Sequence, residues 1–180
     1  GTFSVRRARG DVVLAGSEGL ALGLQKLQLD GRADGDRIAF TLEAIGKQLG
    51  TIGFGGSVAR RGNALLPDAD AALDGVLSLE LPSIAAVAGL ASPSVLADGR
   101  LEGRMFVTGS VGDPVLNGEL SGRRLRLLLV DSGIELRDGQ LDAVLSGDTL
   151  QLRELSFAGS HGQGKLTLSG PLQFRHAQAS

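Results

Sequence analysis

Leucine returns at every second position along most of this 180-residue chain. The stretch Gly164 to Phe174, GKLTLSGPLQF, shows the pattern: Leu166, Leu168, Leu172 and Phe174 share one parity, and Lys165, Thr167 and Ser169 take the other. In extended backbone successive side chains point to opposite sides, so such a run builds a strand with one apolar face and one polar face. A helix repeats every 3.6 residues and would scatter these leucines around its axis. The same alternation runs through Leu20, Leu22 and Leu24, Ile38, Phe40 and Leu42, Ile52 and Phe54, and Leu77, Leu79 and Leu81. It continues through Leu101, Met105 and Val107, Leu125, Leu127 and Leu129, and Leu150 and Leu152. About a dozen short strands are predicted. Parity slips at Gln25-Lys26 and at Arg153-Glu154, where bulges or tight bends are expected.

Glycine preceded by Asp or Asn punctuates the second half of the chain. Asp74-Gly75, Asp98-Gly99, Asn117-Gly118 and Asp138-Gly139 follow one another at intervals of about two strands, and each pair is expected to form a tight turn. One segment departs from the alternation. PSIAAVAGLA, Pro82 to Ala91, has Pro at a first helical position and Ile84, Val87, Ala88 and Ala91 at helical spacing, which predicts one short helix. The expected fold is all-β: an elongated sheet whose hydrophobic face either curls on itself into a concave groove or is left open for a ligand. It is read as one β-rich domain over residues 1–180, with the helix at about 82–91.

The apolar residues are unusual for a β protein. Leucine occurs 32 times against 17 for valine and isoleucine together, and there are six Phe but no Tyr or Trp. Strand interiors normally favour β-branched and aromatic residues. A face of leucines is flexible and uniform, suited to a fluid partner rather than to a jigsaw core. One small helix is too little to cover it.

Catalytic chemistry finds few candidates. His176 lies in a tail-like HAQAS, and His161 sits beside Ser160 in GSHGQG with no third group to complete a triad. There is no nucleophile elbow or phosphate loop. The Asp30, Asp34, Asp36 and Asp68, Asp70, Asp74 groups lack the ligand spacing of a calcium loop and read as turn and edge charges. No enzyme activity, catalytic residue, cofactor or metal is expected. The net charge of -2 offers no footprint for nucleic acid, and the clusters Arg6-Arg7-Arg9 and Arg123-Arg124-Arg126 read as solubility devices on strand edges. Cysteine is absent, which fits an oxidising compartment. Without an initial Met, a signal sequence or a run of about 20 apolar residues, the chain is expected to be a soluble piece of a longer protein, with any membrane anchor outside it.

The segment Gly99 to Gly170 resembles the TamB family, the inner-membrane subunit of the translocation and assembly module, within the AsmA-like group. The resemblance is carried by GRLEGRMFVTGSVGDPVLNGEL, then by DSGIELRDGQLDAVLSGDTLQL, and by the closing GQGKLTLSG, with PSIAAVAGL in the matching preceding position. It covers about half of the chain well; the first 70 residues match in style alone. It implies a periplasmic, inner-membrane-anchored protein of a Gram-negative bacterium, with a β-taco body that moves phospholipids towards the outer membrane. It also implies a role in outer-membrane protein assembly and autotransporter secretion, and an outer-membrane barrel partner, TamA, met through regions outside this chain. The acyl chains of phospholipids would then lie against Leu77, Leu79, Leu101, Met105, Val107, Leu120, Leu125, Leu127, Leu129, Leu141 and Leu145. Leu150, Leu152, Phe157, Leu166, Leu168, Leu172 and Phe174 would continue the groove. Two other functions use the same residues: shielding the β-strands of outer-membrane clients, and a purely structural β-solenoid with a closed core. An enzyme built on a β-helix ranks last.

Overall fold

The computed structural model describes residues 1–7, 23–60, 67–85, 94–158 and 164–173. They form ten strands: β1 (Thr2–Arg6), β2 (Leu24–Asp34), β3 (Arg37–Gly46), β4 (Gly50–Ala59), β5 (Leu73–Leu81), β6 (Val95–Gly109), β7 (Pro114–Leu129), β8 (Ile134–Ser146), β9 (Thr149–Ala158) and β10 (Lys165–Gln173). All ten join one antiparallel sheet whose spatial order is the sequence order. The molecule is therefore the elongated all-β sheet that the alternation predicts, with ten strands, several of them longer than expected. It is open: β1 and β10 are its two edges, and each strand packs essentially on its sequence neighbours alone. No second sheet lies on either face among the described residues, and no described helix is long and apolar enough to cross a membrane.

One expectation about local structure changes. The Asp-Gly and Asn-Gly pairs lie inside β5, β6, β7 and β8 rather than at turns. The chain reverses instead at residues 35–36, 47–49, 111–113, 130–133 and 147–148. Within the strands these glycines leave room for something else. A Cβ on Gly75 would stand 2.7 Å from the Phe54 ring, and one on Gly139 would stand 2.4 Å from the Phe157 ring. The missing side chain lets a ring from the next strand lie flat against the backbone. The local sequence signal was sound chemistry for a turn, and cross-strand packing overrode it.

The parity slips are register shifts. One falls between Leu24 and Lys26, and another sets Leu152 and Glu154 against Ala143 and Asp142. Of the predicted helix, residues 86–91 lie outside the described residues. Its start is visible: Ala85 is helical, and its N–H donates to Ser83 Oγ over 3.2 Å, the arrangement of a helix N-cap. Leu20, Leu22, His161, His176 and Phe174 also lie outside the described residues.

Candidate functional site, an apolar sheet face

Cross-strand partners in an antiparallel sheet share a face, so the register identifies the members of each face. One row crosses the whole sheet: Val5, Leu29, Leu42, Phe54, Leu77, Met105, Gly118, Leu145, Leu150 and Leu172 are successive partners from β1 to β10. Every member is apolar. A parallel row on the same face holds Leu27, Ala44, Ile52, Leu79, Gly103, Leu120, Ala143, Leu152 and Gly170. A third runs through Leu81, Leu101, Gly122, Leu141, Leu155 and Leu168. Beyond it, Phe157 partners Leu166, while Leu127 and Leu129 partner Leu136 and Ile134. Leu125 joins them, since its side chain lies 3.1 Å from where a Cβ on Gly122 would stand.

Each sequence-predicted groove residue within the described segments thus lies on one face, and Val107 extends it beside Met105. The alternation also held signals that the groove reading left out. Val5, Leu29, Leu42 and Phe54 complete the first row, and Phe3 and Phe40 flank it on their own strands. Phe40 and Phe54 stack with ring centroids 5.3 Å apart. Phe3, Gly31, Phe40 and Gly56 line a hollow of about 630 Å³. A flat aromatic end therefore meets a long aliphatic one.

Shelter varies across the face. Met105 and Val107 are each 5% exposed, whereas Val5 is 60% exposed and Leu172 is 49% exposed. Side chains on central strands are flanked on both sides, and those on edge strands on one side only. No large side chain among the described residues is completely buried. A closed sandwich of this size would hide many, because sandwiched sheets interdigitate to interior density.

The opposite face is charged. Lys26 pairs with Glu43 at 2.6 Å, Lys165 with Glu154 at 3.2 Å, and Arg153 reaches Glu119 at 3.4 Å and Asp142 at 3.6 Å. Arg37 bonds Asp74 and Ser57. The carboxyl of Glu154 is held below the usual carboxylate range by hydrogen bonds from the Ser156 hydroxyl and Lys165. Asp98 is lowered first by the Ser83 hydroxyl, 2.6 Å away, and then by the Gly99 N–H, 2.7 Å away. These groups stay ionised and hydrated, which keeps this face in water. Among the described residues no cluster of His, Asp or Glu is arranged to hold a metal ion. Comparison with protein-family models, with curated proteins and with solved structures finds no match for this chain.

Proposed function

We propose that this chain is a non-enzymatic hydrophobic groove segment of a TamB-like, periplasm-spanning protein. It would carry glycerophospholipids from the inner to the outer membrane and support outer-membrane protein assembly, with contact to the barrel partner TamA made elsewhere in the protein. The chief support is the unbroken apolar row from Val5 to Leu172. With strands about 4.8 Å apart, its nine steps span about 43 Å, longer than an extended acyl chain. Each methylene kept from water is worth about 0.8 kcal/mol, so a 16-carbon chain crossing unprotected would cost about 12 kcal/mol. Leucine contacts are non-directional, and a hydrocarbon can shift from strand to strand without breaking a specific bond.

The test is extraction of the purified chain with organic solvent, followed by mass spectrometry of the extract. Phospholipid in molar proportion to protein is expected; its absence after gentle purification, together with no uptake of added phospholipid, would remove the lipid reading. A second function is favoured by the edges. All five residues of β1 are exposed, as are all but Gly170 on β10, so client β-strands could add there by backbone pairing. A photo-crosslinker at Thr167 that captures denatured barrel protein, with no lipid in the extract, would favour it.

A further inference from the structure

β6, β7 and β8 break register side by side. The shifts fall between Asp98 and Arg100, between Arg123 and Leu125, and between Arg137 and Gln140. At these points Gly99 has φ 124°, Arg124 has φ 53° and Asp138 has φ 51°. Arg124 and Asp138 are the only non-glycine residues with positive φ among the described residues. Asp tolerates the left-handed region because its short side chain can bond locally, but Arg has no such compensation. A strained backbone at a polar surface site calls for a reason beyond folding.

The side chains supply one. On the face opposite the leucines, Arg100 and Arg123 are direct partners across the β6–β7 ladder, where like charges repel. Arg124 lines two adjoining hollows. One, of about 240 Å³, is shared with Arg100, Arg126 and Asp98; the other, of about 440 Å³, with Arg123, Gln140 and Asp138. The side chains of Arg123 and Arg124 make no ion pair or hydrogen bond with any described residue. Arg100 and Arg126 reach Glu102 and Glu135 only at 3.9 Å. The carboxylate of Asp98 is already engaged by Ser83 and Gly99. Arg100 and Arg123 thus face each other across the ladder, Arg124 lines a hollow beside each of them, and neither Arg123 nor Arg124 has a close counter-ion among the described residues.

We propose that Arg100, Arg123 and Arg124 form an anion site for a phosphate group, either inorganic or displayed on the headgroup of an anionic phospholipid. Guanidinium forks bind phosphate oxygens in pairs, and three of them suit a multiply charged tetrahedral anion better than a lone carboxylate. The site lies on the far side of the sheet from the apolar groove and stands without it.

The experiment is an NMR titration of the chain with inorganic phosphate at constant ionic strength. Saturable shifts confined to the signals around Arg100, Arg123 and Arg124 are expected. Arg124→Gly removes one fork and relieves the backbone, so phosphate affinity should fall by at least about tenfold while Tm stays level or rises. Asp138→Asn, which keeps the tolerated conformation and removes a nearby negative charge, should tighten binding. Arg123→Gln, an exposed change, gives the same readout should Arg124→Gly disturb folding. Sedimentation with phosphatidylglycerol vesicles against phosphatidylcholine vesicles separates the sources. Selective vesicle binding lost in Arg124→Gly identifies a lipid headgroup, and phosphate shifts without vesicle binding identify the free ion. Linear, non-saturating shifts, or equal affinity in wild type and both arginine variants, would overturn the proposal.

Discussion

A carboxylate placed on the apolar face should have very different effects at its centre and at its edge. Met105 is 5% exposed and Leu168 is 48% exposed. Met105→Asp discards an almost complete burial and puts a charge among Leu77, Gly118 and Val107, so a loss of about 3–5 kcal/mol is expected. Leu168→Asp starts from a side chain already half in water. It forfeits about half of the 1.5–3 kcal/mol of a full leucine burial, close to 1 kcal/mol, and its carboxylate stays hydrated. The difference of about 2–4 kcal/mol should move the urea midpoint of Met105→Asp about 0.7 M or more below that of Leu168→Asp, given slopes of about 1–3 kcal/mol/M. The lipid readout should separate the two variants in the other sense: Leu168→Asp folds, yet carries less co-purified phospholipid. Equal destabilisation by both changes would mean that the face is closed by a packed layer. A folded Leu168→Asp with a full complement of lipid would mean that acyl chains do not use this face.

Further outcomes follow from the same geometry. Gly139→Ala drives a methyl into the Phe157 ring and should cost about 1–3 kcal/mol by thermal or urea melting, and Phe157→Leu in the same chain should recover part of it. Asp74→Asn removes the Arg37 pair, whose partners are 51% and 59% exposed, and should change stability by less than about 1 kcal/mol, an effect that vanishes in high salt. The Asp98 carboxyl is lowered by folding from an ordinary value near 3.8. Its contribution is therefore complete above that value and is lost as pH falls through the lowered one. Acid titration of Ser83→Ala should show a smaller loss over that window than the parent chain, and Asp98→Asn should show none from this group.

The face was legible because its signal is strictly local. Parity alone placed Leu77, Leu79, Leu127, Leu129, Leu166 and Leu168 on one side, and the two parity slips located two register shifts. Gly75 and Gly139 could not be read correctly in isolation, because their role is set by rings at Phe54 and Phe157 on neighbouring strands. The same limit explains the arginines. Arg123-Arg124-Arg126 looks like a solubility cluster along the chain, and only the register sets Arg100 against Arg123 beside two other bulges. Phe40 and Phe54 were visible in the alternation, but their stacking on each other and the seat of the Phe3 ring over Gly31 depend on pairings across β1 to β4.

Because strand order repeats chain order, each hairpin among the described residues packs essentially on the one before it and the one after it. Free energy in such an array accumulates along one dimension, as in solenoid repeats, without a central nucleus that every part must reach. Unravelling can begin at either rim and stop partway, so amide exchange should grade inward from β1 and β10 to the long strands β6 to β8. Length is also freely adjustable. Inserting one more hairpin would extend the apolar floor by about 10 Å and leave existing pairings intact, so an evolving gene could set the span of such a sheet two strands at a time.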